Sequence, residues 1–187
     1  MAPTNSMKDC LPMTPPTSER DTPALTDPID ELRKFTATET RVAIAGHPLH
    51  AMMVAFPIAL CFCTLGADAM YWLTGDAFWT RGALWSAGIA FAMGVLAGIV
   101  GTAELLIVPG IRLRSPSWSH FVLAVMLISI LGANWAWRWG NAEAAVLPVG
   151  LAVSALAAFL TALTGWHGGK LVFDYGIGVQ DGHGPSD

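Results

Sequence analysis

The chain has 187 residues, of which 53% are hydrophobic and only 13% charged, with a net charge of -4 and a pI near 5.6. That charged share is about half of what an average soluble domain carries, so the chain cannot cover itself with polar surface, and the acidic balance leaves no basic footprint for nucleic acid. The charges are also clustered: residues 42–67, 82–103, 115–137 and 144–169 contain no Lys, Arg, Asp or Glu. Each gap exceeds the roughly 20 apolar residues that a helix needs to cross the hydrocarbon of a bilayer. The pattern predicts an all-α integral membrane protein, a four-helix bundle running up-down-up-down.

In chain order, residues 1–40 are rich in Pro, Thr, Ser and Asp and could not bury enough apolar surface to offset the entropy of ordering. A disordered arm is expected there. Its last part, "DPIDELRKFTATETR", sets Asp30 and Glu31 ahead of Arg33 and Lys34 and reads as a short interfacial helix. The arm has no apolar stretch of the kind a cleaved signal needs. The membrane domain is expected over 44–179. Its first span, about 48–73, opens with His47 as N-cap and Pro48 in the first turn, and is kinked at Pro57. Gly75 and Asp76 turn the chain into a second span, about 80–108, stopped by Pro109-Gly110. The third span covers about 117–139 and the fourth about 144–166, ended by Gly168-Gly169. A flexible tail, 180–187, follows. The short connections predict antiparallel neighbours.

The tryptophans test this layout independently. Trp72, Trp79, Trp85, Trp135, Trp137 and Trp139 fall at one expected membrane face and Trp118 and Trp166 at the other, as in the aromatic belts of a bilayer protein. Arg33, Lys34, Arg41, Arg112, Arg114 and Lys170 lie on one side, against Arg81 and Arg138 on the other. The positive-inside bias therefore predicts both termini in the cytoplasm. Gly94 and Gly98, joined by Gly101, and Gly150, Ser154 and Ala158 give small faces for close helix packing. Intramolecular packing is the expected use, and a homodimer seam the alternative. Cys61 and Cys63, two positions apart, point to different sides of a helix and are expected to be apolar filler.

Depth then groups the ionisable residues. His47 and His50 open the first span, Glu104 lies near the end of the second, His120 starts the third and His167 follows the fourth, so all meet at one level, the expected inner face. Ionisable groups in spans are costly and usually face the bundle interior, where they bind a ligand or each other. Imidazoles with a carboxylate suit a transition metal, and two imidazoles on facing helices could ligate a haem iron such as that of haem b. His50 with His120 is the preferred pair, with Glu104 as a further ligand, a proton acceptor or an orienting partner. His47 and His167 rank lower. The alternatives are a cap for His47, an interfacial role for His167 and a structural hydrogen-bonded knot for the rest. Asp68 shares His50's face but sits ~27 Å away at 1.5 Å per residue. A salt bridge to Arg81 or Arg138 is expected there, with proton or ion uptake the alternative. Hydrolase and nucleotide-binding signatures (GxSxG, HExxH, Walker) are absent from the sequence.

The segments "GHPLHAMMVAFPIAL" at 46–60, "GIVGTAELLIVP" at 98–109, His120, and "TGWHGGKLVFDYGIGV" at 164–179 resemble the bacterial membrane family called domain of unknown function 2231. The resemblance implies four helices, a bacterial inner membrane location and an undefined activity. It maps the family's two opening histidines, its acidic residue ending helix two and its histidine opening helix three onto His47, His50, Glu104 and His120. Relatives joined to or encoded beside Rieske-type or c-type cytochrome modules imply a redox setting. The chain departs from the family pattern with Ala51 for Pro, Glu104 for Asp and His167 for an aliphatic residue. Three functions remain open from the sequence. They are a haem or metal protein of electron transfer, a non-catalytic membrane subunit or assembly factor docking a redox partner, and a small transporter or proton conduit running from Asp68 to the histidines. Whether any of them involves enzymatic turnover is equally open.

Overall fold

A computed structural model describes the backbone of residues 43–44 and 47–177 and the side chains of 48–108 and 111–177. The expected arm, its interfacial helix and the tail lie outside the described residues. Two short strands, β1 (Ala43–Ile44) and β2 (His47–Pro48), pair antiparallel, with Ala43 opposite Pro48 and Ile44 opposite His47. The first span follows as α1 (Leu49–Met53) and α2 (Ala55–Thr74), the second as α3 (Ala77–Ile107), and a short α4 (Pro109–Arg112) leads to the third, α5 (Ser115–Trp137). The fourth consists of α6 (Ala142–Ala145), a widened turn at Val146–Gly150, and α7 (Leu151–Phe173). All four spans are long and apolar enough to cross a membrane. Spans one and two, two and three, three and four, and four and one pack together, which closes an up-down-up-down bundle.

Local chemistry explains the breaks. Pro57 has no N–H for the Met53 carbonyl and its ring crowds that turn, so α1 is set off from α2 at Val54. The helix starts at Leu49 rather than at Pro48, which is itself the N-cap with extended ψ of 115°, and no side chain caps it. The expected His47 cap is therefore not made: His47 is drawn into the β1–β2 pairing instead. Gly75, in the left-handed region with φ of 66°, ends α2, and the Asp76 carboxylate accepts from Phe78 N at 2.8 Å to begin α3. Asn141 caps α6 in the same way through Ala144 N at 3.0 Å. Pro148 breaks the fourth span, and Leu147 is extended (φ -113°, ψ 136°), a kink absent from the sequence reading. The span also continues through Gly168-Gly169 to Phe173. Where no water competes for backbone groups, continuing the helix is the only economical way to satisfy them.

The packing is the reverse of a soluble bundle. The interior is built of small residues: Ala83, Ala87, Ala90 and Ala97 on α3, Ala157 and Ala158 on α7, and Cys61 on α2, with Leu131 among them. Large apolar side chains face outward, including Phe56, Phe62, Ile89, Leu96, Ile99, Val122, Met126 and Phe159. In lipid, outward burial of Phe or Leu brings no loss, while small inward residues let helices approach closely enough for dispersion to hold them. The Gly94/Gly98 face is used inside the chain, since a Cβ added at either glycine would touch Ile128 of α5. Trp72, Trp85, Trp137 and Trp139 at one end and Trp118 and Trp166 at the other are exposed, as interfacial anchors would be. Hydroxyls within the spans are satisfied by their own helices: Thr64, Thr102, Ser129, Thr161 and Thr164 each donate to the carbonyl four residues back. Cys61 is buried and Cys63 exposed, on different sides of α2.

Candidate functional site

At the end of the bundle where span one begins, two histidines are held by one repeated device. His50, on the set-off helix α1, lays its ring over Gly101 of α3, and its Nδ1 is 2.9 Å from the Ala97 carbonyl oxygen. His120, in the second turn of α5, lays its ring over Gly168 of α7, with Nδ1 3.1 Å from the Thr164 carbonyl oxygen. In each case the carbonyl stands four residues before the glycine, one turn along the same helix face. A Cβ at 101 would lie 2.8 Å from the His50 ring, and one at 168 would lie 3.0 Å from the His120 ring, so only glycine lets the rings approach. A carbonyl can only accept, so each Nδ1 carries the hydrogen, and in the neutral ring Nε2 keeps its lone pair. The ring centres are 6.3 Å apart and the planes nearly perpendicular, at 85°.

Two further polar groups belong to this end. Glu104 follows Gly101 by three positions on the same face of α3, and is buried with its Oε1 lacking a hydrogen-bond partner. Ser117, three positions before His120 on α5, is buried with its Oγ likewise unpartnered. Among the described residues no three His, Cys, Asp or Glu side chains are grouped so as to hold a metal ion. The structure thus forms a His50–His120 pair and not the expected trio with Glu104, which sits one turn further along α3 than the ring it was to join. His167 bonds its own helix, Nδ1 donating to the Leu163 carbonyl at 3.0 Å, and the side chain of His47 lies outside the described residues. Beyond this level, Leu105, Val108 and Ile111 are packed by Phe121 and Ile177. Gly176, with φ of 61°, turns the chain so that Ile177 N reaches the Leu171 carbonyl at 3.1 Å, and the Arg114 guanidinium lies over the Tyr175 ring at 5.0 Å.

Asp68 stands at the opposite end, in a fully buried ion pair. Arg138 Nη1 and Nη2 donate to Asp68 Oδ1 and Oδ2, each at 2.7 Å. Arg138 Nε donates to Asn134 Oδ1 at 3.0 Å and Ser154 Oγ donates to Asp68 Oδ2 at 2.6 Å. Asn134 Nδ2 in turn donates to Ser154 Oγ at 2.9 Å. Of the two partners the sequence left open, Arg138 is the one used. Arg138 spans the gap because Gly150 faces its guanidinium, where a Cβ would lie 3.1 Å from Nη2. In sequence Ser154 reads only as part of a small packing face and Asn134 carries no expectation; both instead join the ion pair through side-chain hydrogen bonds.

Residues 46–181 match the model of the family described as "Predicted membrane protein (DUF2231)". The chain belongs to this family. The match covers the whole four-helix unit, including both histidines of the pair, Glu104 and the Asp68–Arg138 pair. No curated protein and no solved structure match the chain, so the family's membrane character is the firm content of the comparison and its activity is undefined.

Proposed function

We propose that this family member is an electron-transfer protein in which Nε2 of His50 and Nε2 of His120 would hold a haem iron or a transition metal. The observation that supports the reading is the pairing itself. Both rings are fixed through Nδ1 by backbone carbonyls, the arrangement by which ligating histidines are usually oriented, and the two rings adjoin. The ring centres are 6.3 Å apart, within the reach of one metal ion at imidazole bond lengths of about 2.0–2.1 Å. Among the described residues no third His, Cys, Asp or Glu joins the pair, which would suit a group that brings its own nitrogen ligands, as a porphyrin does. When bound, such a group supplies one-electron chemistry. The protein's part is to orient the imidazoles, to exclude water with Leu105, Val108, Ile111 and Phe121, and to hold a polar oxygen, Glu104 Oε1, nearby.

Orientation follows from charge. Arg138 is consumed in its pair with Asp68, leaving Arg81 at that end against Arg112, Arg114 and Lys170 at the histidine end. We place the histidine end and both termini on the cytoplasmic side of a bacterial inner membrane, facing a redox partner there. The test is an absorption spectrum and metal analysis of the purified protein. A Soret band or stoichiometric metal is expected, lost in His50→Ala and His120→Ala and kept in His183→Ala. A wild-type protein with neither would refute the proposal.

A further inference from the structure

The two ends of the bundle obey one rule. His50 meets His120 at one end and Asp68 meets Arg138 at the other, and both contacts join positions seventy apart in the chain. Two pairs of buried residues between them stand at the same offset, Cys61 with Leu131 and Thr64 with Asn134, whereas buried Pro57 and Ala67 have half-buried Leu127 and exposed Trp137 as their equivalents. The second and fourth spans repeat with an offset of sixty-seven. Ala97 and Thr164 supply the carbonyls that hold the two histidines, and Gly101 and Gly168 bed their rings. Buried Ala83, Ala87, Ala90, Gly94 and Glu104 correspond to buried Gly150, Ser154, Ala157, Thr161 and Leu171. Contacts between spans agree: one packs on two as three packs on four, and one packs on four as two packs on three. On a two-fold axis a position meets its own equivalent. His50–His120 and Asp68–Arg138 are such self-pairs.

We infer that the bundle consists of two copies of one helical hairpin, residues 49–107 and 119–173, related by a pseudo-two-fold axis along the bundle, and that the ligand of the histidine pair binds on this axis. Parallel repeats about an axis normal to the bilayer are a known way of building membrane proteins. The second half of the inference rests on the electron-transfer reading above. It states what that reading leaves open: the ligand would be held by equivalent groups from both halves, His50 and His120. Departures from the repeat then show where the halves specialised. At one end the self-pair became Asp and Arg, an attraction where two identical charges would repel. At the other, Glu104 has Leu171 as its equivalent, so a carboxyl flanks the ligand from one half only.

Two sets of variants of the full chain test this. Reversing the ion pair exchanges equivalent positions. Asp68→Arg and Arg138→Asp alone leave like charges buried together and should abolish the folded, monodisperse protein, whereas Asp68→Arg/Arg138→Asp combined with Ala83→Gly and Ala87→Ser, which give the moved guanidinium the room and the hydroxyl that Gly150 and Ser154 give Arg138, should recover at least half of the wild-type yield and retain its unfolding midpoint within a few degrees. A combined variant no better than the singles would overturn the axis. The second set reads the midpoint potential of the bound group. Glu104→Leu should shift it, and adding Leu171→Glu, which moves the carboxyl to the equivalent place, should reverse at least half of the shift. No reversal in a folded protein would overturn binding on the axis. Absence of any redox group in the wild type would overturn the electron-transfer reading and the on-axis ligand with it, while the charge reversal would still decide the repeat.

Discussion

Replacing Asp68 by Ala removes both acceptors of the Arg138 fork, each at 2.7 Å with donor and acceptor wholly buried. Arg138 Nη1 then has no partner, Nη2 keeps only Ser154 Oγ at 3.1 Å, and Nε keeps Asn134. A hydrogen bond between charged groups contributes about 1.5–3 kcal/mol, and removing one member of a buried ion pair costs about 3–5 kcal/mol because the remaining charge stays desolvated. Both figures place the Asp68→Ala loss near about 4 kcal/mol. Asp68→Asn, which keeps one acceptor, should lose about half as much. Asp68→Leu/Arg138→Met removes the charges together, leaves the Asn134–Ser154 bond in place, and should fall within about 1–2 kcal/mol of the wild type. Unfolding in mixed micelles of dodecyl maltoside and SDS, followed by the fluorescence of Trp135 and Trp139, measures all three. A loss under about 1 kcal/mol for Asp68→Ala, or a double variant as unstable as the single, would refute the view that burial without a partner dominates.

Gly101→Ala should displace the His50 ring, because the new methyl would lie 2.8 Å from it, and should lower ligand occupancy several-fold. Gly168→Ala, at 3.0 Å, should do so less, and Gly66→Ala, with nothing within 4 Å, should leave occupancy unchanged. Spectral titration of the three purified variants checks the order. Gly176→Ala places a Cβ in the left-handed region (φ 61°) and should destabilise the closing turn by about 1 kcal/mol, seen as faster proteolysis after Phe173 with the bundle intact. Gly88→Ala would bring a methyl within 2.6 Å of Trp135 Nε1 and should shift the tryptophan emission as that ring leaves its stack on Phe91.

The number of spans was legible because it rests on charge and length, which hydrocarbon reads directly. The level of His50, Glu104 and His120 was legible for the same reason: depth is arithmetic along a helix. The preferred pair, His50 with His120, is the one whose rings meet; what holds them, and that Glu104 stays outside the pair, was not legible. That depends on the lateral rotation of each helix, set here by Gly101 and Gly168, whose spacing to Ala97 and Thr164 carries no signal until a histidine is seen lying over them. The choice of Arg138 over Arg81 for Asp68 has the same origin, since both stood at the correct end and only Gly150 made room for one of them. The end of the fourth span was misplaced because two glycines stop a helix in water, where exposed backbone is solvated, but not where leaving the helix strands carbonyls without donors.

The proposed ligation of a haem by His50 and His120 is tested most directly by low-temperature EPR of the oxidised protein, because a low-spin ferric haem, if bound, would report both its ligands and the angle between their planes. Nearly perpendicular imidazoles, at 85°, predict a highly anisotropic low-spin signal that disappears in His50→Ala and in His120→Ala alike. A high-spin signal, or one that survives either substitution, would contradict the account.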